Sequence, residues 1–126
     1  MKLSRRGWGV KFADAFRGLA RAVRGQSSFS VHLATAGAVI ATGAVVRLTT
    51  GEWALIVLCI GLVLMAEVFN TALESLARGP GSRRHPRLRD ALDMASAAVL
   101  VAAATAVLIG LIVLGPKLWA GWPWMI

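Results

Sequence analysis

The chain has no tyrosine, one cysteine, four prolines and six acidic residues against fourteen Lys and Arg. A lone cysteine cannot form an intramolecular disulfide framework, and Cys59 lies among Val, Leu and Ile, where a thiol reads as a small buried hydrophobe. Neither a Walker A sequence nor a GxGxxG after a strand is present, which removes the common soluble nucleotide-binding folds. The N-terminus MKLSRRGWGVKFADAF has the charges of a secretory n-region but no uninterrupted apolar stretch or small-residue cleavage site behind it. A cleaved signal peptide is therefore not expected.

What is present is apolar surface. Hydrophobic residues make up 57% of 126 positions, too many for a soluble domain of this size. From Gly25 to Val46 no Lys, Arg, Asp or Glu occurs, and roughly 20 apolar residues suffice to cross a hydrocarbon core. This Ala- and Gly-rich first span, over 27–47, suits close helix packing. RLTTGEW follows, with Gly51 expected to break the helix and Trp53 to anchor the interface where the second span, 53–77, begins. GPGSRRHPR then reads as a loop. The third span covers 91–115, with Asp93 at its start as an N-cap candidate and Pro116 and Lys117 closing it. A Trp-rich tail occupies 117–126. The fold class is an all-α membrane protein.

The formal charge of +8 could serve nucleic acid, anionic lipid or nucleotide phosphate, and position decides among them. Basic residues flank the spans: seven from Lys2 to Arg24 precede the first, and Arg78, Arg83, Arg84, Arg87 and Arg89 join the second to the third. The opposite side carries only Arg47 and Lys117. The positive-inside rule then places the N-terminus in the cytoplasm and the C-terminus outside, with lipid and nucleotide, not nucleic acid, as the partners expected. Ahead of the first span, Phe12, Phe16, Leu19 and Val23 recur at steps of four, three and four. Arg17, Arg21 and Arg24 form a second stripe. Such a helix, over 8–24, fits the membrane surface, and its Arg stripe serves either anionic headgroups or a neighbouring active site.

The run Ala66 to Ser75, AEVFNTALES, puts Glu67, Asn70 and Glu74 on one face of the second span. An uncompensated charge at the bilayer centre costs about 2.5–3.5 kcal/mol even on the lenient insertion scale, so this face needs a partner, a cation or water. Interhelical hydrogen bonding is the structural alternative, and His32 in the first span reads as a hydrogen-bonded structural imidazole. Carboxylates beside an Arg-rich interface suit Mg²⁺ and nucleotide phosphate, and a deeper carboxylate suits proton removal from a lipid hydroxyl. Residue chemistry alone reaches a cation-binding, membrane-embedded polar site.

The stretch E67-V-F-N70-T-A-L-E74, followed after a basic loop by D93-M-A-S-A-A-V-L, resembles the prokaryotic diacylglycerol kinase family, which includes undecaprenol kinases. F-R-G-L near position 16 and F-S-V-H from 29 to 32 are similar too, and the likeness runs from about residue 11 to 115. The resemblance implies a homotrimer of three-span protomers, each with an N-terminal surface helix and with active sites shared between neighbours. It implies direct phosphorylation of a lipid hydroxyl by ATP with Mg²⁺. Carried over by position, Glu67 is the candidate general base, Asn70 a positioning group, Glu74 a metal-binding carboxylate and Asp93 an acid of the third helix. Arg17 and Arg21 then become nucleotide- or substrate-binding candidates.

Three positions depart from the family pattern. Gln26 stands where a second metal-binding Glu is usual, Leu92 where a Lys precedes Asp93, and Arg78 where an Asp is expected. Gln26 keeps a carbonyl donor for metal or nucleotide without its charge. Arg78 or the loop arginines offer a replacement for the missing Lys. The rival functions are a catalytically weakened or inactive relative that binds lipid or nucleotide, and an ion or proton conduit built from Glu67 and Glu74. The latter gives the Arg-rich loop no task.

Overall fold

The computed structural model describes residues 7–25, 27–79 and 85–121. They form four helices: α1 Trp8–Gly25, α2 Ser27–Val46, α3 Thr50–Ala77 and α4 Pro86–Gly121. The last three are each long and apolar enough to cross a membrane, and the protein is an integral membrane protein. A helix of 28 residues such as α3 is about 42 Å long against a hydrocarbon core of about 30 Å, so it outruns the core. Counted from Trp53, about 20 residues use up the core near Leu73, leaving Glu67 within it and Glu74 at its edge.

The helix boundaries follow from local chemistry. Arg47, at φ 57, takes the left-handed conformation that ends α2, and the Leu48 N–H donates to Gly43 O at 3.2 Å to close a Schellman-type turn. The break therefore falls at Arg47 and not at the expected Gly51, which lies inside the first turn of α3. Thr49 caps α3: its hydroxyl accepts from Glu52 N–H while the Glu52 carboxylate accepts from Thr49 N–H, a reciprocal capping box. Glu52 also meets Lys117 Nζ at 3.1 Å, joining the start of α3 to the end of α4.

The third spanning helix starts at Pro86, five residues ahead of the expected 91. Proline at a first helical position gives up only an N–H that has no partner there, and its ring presets the helical φ. Asp93 is thus two turns inside α4 and not an N-cap. Nor does Pro116 end the helix, which continues to Gly121. Beyond it, the rest of the Trp-rich tail lies outside the described residues.

The helices meet mainly through α3, which packs on α4 and, less extensively, on α2 and α1. Buried Leu48, Ile56 and Val113 form a cluster at the α2–α3 turn, flanked by Val39, Trp53, Ile60 and Ile109. Gly43 is part of this contact by having no side chain. A Cβ there would come within 2.8 Å of Leu48 Cδ1 and 2.9 Å of Trp53 Cη2. Gly43→Ala is expected to cost about 1–2 kcal/mol, because Leu48 is held in the buried cluster and the indole is rigid. Thermal unfolding in detergent measures it, and an unshifted midpoint would mean both neighbours yield freely.

Elsewhere the protomer leaves apolar side chains uncovered: Val31, Val101, Leu111 and Ile112 are exposed along α2 and α4, as are Phe12, Phe16 and Leu19 on α1. Surfaces of this composition are stable against lipid or other apolar helices.

Candidate functional site

The polar face of α3 resolves into two centres. Among the described residues Glu67 is the one buried charged side chain, at 2% exposure. Two α2 residues meet it: Ser28 Oγ donates to Oε1 at 2.5 Å, and His32 Nε2 lies 3.5 Å from Oε2. Ser28 and His32 are four apart, one turn on the same face of α2, so a single polar strip on that helix engages both carboxylate oxygens. Glu67 is turned inward and lipid is excluded from it. His32, expected as a structural imidazole, contacts the central carboxylate, and Ser28 was absent from the sequence-derived candidates. The signal that could have found them is their i, i+4 spacing in a span otherwise poor in polar groups.

One to two turns further along, Asn70 Nδ2 donates to Glu74 Oε1 at 3.0 Å. The amide thereby orients the carboxylate, while Asn70 Oδ1 is buried with no partner among the described residues. Thr71 Oγ1 is in the same situation. That is unusual for this chain, since Thr35, Thr42 and Thr105 each donate back to the carbonyl four residues earlier at 2.8 Å. A buried unpartnered oxygen costs free energy until something meets it, which makes Asn70 Oδ1 an available donor atom for a cation beside Glu74.

Glu74 also borders a cleft of about 420 Å³ between the end of α3 and the start of α4, lined by Ala77, Arg78, His85, Leu88, Arg89 and Leu92. Two guanidinium groups and an imidazole thus surround one carboxylate. Such a lining suits a polyanion. Leu92 lines this cleft with the other apolar side chains Ala77 and Leu88, and Arg89, one turn earlier on α4, brings a charge that the sequence-derived site left out.

The remaining candidates are not gathered at this cleft. Arg17 donates to Asp14 and to the Ala13 carbonyl on its own helix, and Arg21 is exposed. Asp93 is exposed on α4 and is not among the residues that line the cleft. Gln26 lies outside the described residues. Among the described residues no three His, Cys, Asp or Glu side chains converge as a metal cluster. Glu74 with the Asn70 amide oxygen is nevertheless a donor set that suits Mg²⁺, which takes one or two carboxylates and fills its other positions with water and substrate phosphate.

Comparison with known proteins gives this arrangement a context. Residues 13–114 match the family described as prokaryotic diacylglycerol kinase. An undecaprenol kinase from Bacillus subtilis (strain 168) is 37% identical over 107 residues, covering 85% of this chain and 87% of that protein. A diacylglycerol kinase from Synechocystis sp. (strain ATCC 27184 / PCC 6803 / Kazusa) is 36% identical over 110 residues, covering 86% of this chain and 63% of that protein. No solved structure matches the chain.

Proposed function

Because the chain belongs to the prokaryotic diacylglycerol kinase family and is a lipid kinase, we propose that it uses Mg·ATP to phosphorylate the hydroxyl of diacylglycerol or a polyprenol. The reaction takes place at the cytoplasmic face of the bacterial inner membrane. The observation that carries this reading is the division of labour along α3. Glu67 is a buried carboxylate within the hydrocarbon zone, and Glu74 is a half-buried one, two turns away, on an Arg-lined cleft.

In this reading the lipid hydroxyl reaches Glu67, which takes its proton as the acceptor oxygen attacks the γ-phosphorus. Asn70 fixes Glu74 and offers its own oxygen beside it. Glu74, Asn70 and Gln26 would hold Mg²⁺, which would supply charge neutralisation at the phosphates. Arg78 and Arg89 hold phosphate oxygens from the cleft walls, offsetting Leu92 and the uncharged Gln26. The apolar, Arg-striped α1 lies on the inner leaflet, where Arg17 and Arg21 attract anionic groups, and Asp93 serves a neighbouring site. Three copies assemble with shared sites, which covers apolar faces of α2 and α4 that one protomer leaves open.

Purified protein in detergent micelles, given Mg·ATP and either diacylglycerol or undecaprenol, should release ADP with one lipid and not without it. A folded protein silent with both lipids would instead be the weakened, ligand-binding relative. Arg78→Ala tests the compensating cation. The KM for ATP should rise about five- to ten-fold, the order of one charge-assisted contact at a solvated cleft, with a smaller change in kcat. Unchanged ATP affinity and turnover would remove Arg78 from the site.

A further inference from the structure

Each carboxylate oxygen of Glu67 meets one side chain of α2. Oε2 faces His32, while Oε1 is covered by Ser28 Oγ at 2.5 Å, and Ser28 itself is exposed in the first turn of α2. That turn directly follows the basic helix α1 and opens the first spanning helix. A carboxylate oxygen able to take a proton from a lipid hydroxyl can take one from water as well. A lipid kinase that lets water reach its base hydrolyses ATP to no purpose, so closure against water is part of its selectivity.

We propose that Ser28 determines acceptor selectivity: its hydroxyl holds the acceptor position on Glu67 Oε1 and keeps water out until the alcohol of the lipid replaces it. The exchange is balanced, one alcohol O–H donor for another, so the carboxylate never lacks a partner. The inference rests on Glu67 being the base. In the transfer, the acceptor oxygen bonds to the γ-phosphorus and the bond from that phosphorus to the β,γ-bridging oxygen breaks. ADP leaves with the electron pair, and the acceptor's proton passes to Glu67. With water as acceptor the same steps give ADP and inorganic phosphate. Ser28 is thus a positioning residue that acts through Glu67.

The experiment uses the full chain in micelles with Mg·ATP and compares ADP release without lipid to phosphorylation of added diacylglycerol or undecaprenol. Ser28→Ala uncovers Oε1 and should raise the ratio of lipid-independent hydrolysis to lipid phosphorylation about ten-fold, the order of one lost hydrogen bond. Ser28→Thr keeps the hydroxyl and should restore the parent ratio. Adding Glu67→Gln to Ser28→Ala should abolish the extra hydrolysis.

An unchanged ratio in Ser28→Ala, equal behaviour of the Ala and Thr variants, or extra hydrolysis that survives Glu67→Gln overturns the proposal. So does loss of both activities in Ser28→Ala with Ser28→Thr active, since the hydroxyl would then be needed for catalysis itself. Glu67→Gln alone that leaves lipid phosphorylation intact overturns the base assignment underneath, independently of Ser28.

Discussion

Glu67→Gln is expected to lower kcat for lipid phosphorylation by about 10²- to 10³-fold while leaving the KM for ATP near the parent value. The substitution is nearly isosteric. The amide oxygen can still accept from Ser28 Oγ, so the α2–α3 contact that buries this side chain has no reason to open. What is lost is the ability to take a proton. General bases contribute roughly 10²–10⁴-fold, and the lower part of that range applies here because a loose phosphoryl-transfer transition state calls on the base late. The rival readings predict other outcomes. If Glu67 served only as interhelical hydrogen-bond glue, Gln would keep the bond and the turnover. If it formed a proton conduit with Glu74, proton flux across vesicles would fall with no lipid phosphorylation to lose. Initial rates with saturating lipid and ATP separate these cases, and a fall of less than about ten-fold would move the base elsewhere.

Much of this arrangement is legible in the chain itself, for physical reasons that also explain what is not. Apolar runs free of charge have few alternatives to spanning helices, so three such helices were expected and three occur among the described residues. Helix ends are less legible because short-range chemistry sets them. Gly51 reads as a breaker, yet a capping box at Thr49 and Glu52 takes it into the helix, and the left-handed residue is Arg47, which few sequence rules would nominate. The end of GPGSRRHPR, from His85 to Arg87, reads as loop because of its prolines and arginines, although a proline at the first helical position starts α4 there.

The candidate site shows the same split. Periodicity along α3 puts Glu67, Asn70 and Glu74 on one face, which makes the Asn70–Glu74 bond legible, but the partners of Glu67 come from α2. Ser28 is 39 positions from Glu67 in the chain, and no spacing within one helix predicts that meeting. Arg89 joins Glu74 at one cleft only because α4 folds back on α3. Asp93, by contrast, satisfies a motif while its side chain stays exposed on α4.

Glu74→Gln should fail differently from Glu67→Gln, and the difference separates a metal-binding carboxylate from a base. The Gln carbonyl can still accept from Asn70 Nδ2, which donates to Glu74 at 3.0 Å, so the local geometry survives. The negative charge does not. With Gln26 already neutral, Glu74 is the acidic donor among the residues proposed for Mg²⁺. Removing it leaves a lining of Arg78, Arg89 and His85 with no carboxylate to hold a divalent cation. Turnover should drop by about 10²-fold at ordinary Mg²⁺, and the half-saturating Mg²⁺ concentration should rise by at least about ten-fold. Excess Mg²⁺ should then recover part of the activity of Glu74→Gln and none of that of Glu67→Gln, because mass action can refill a weakened site but cannot supply a missing proton acceptor. Titrating Mg²⁺ at fixed Mg·ATP for both variants makes the comparison. Equal insensitivity to Mg²⁺ would place the cation on other residues, and equal rescue would mean that both carboxylates bind it.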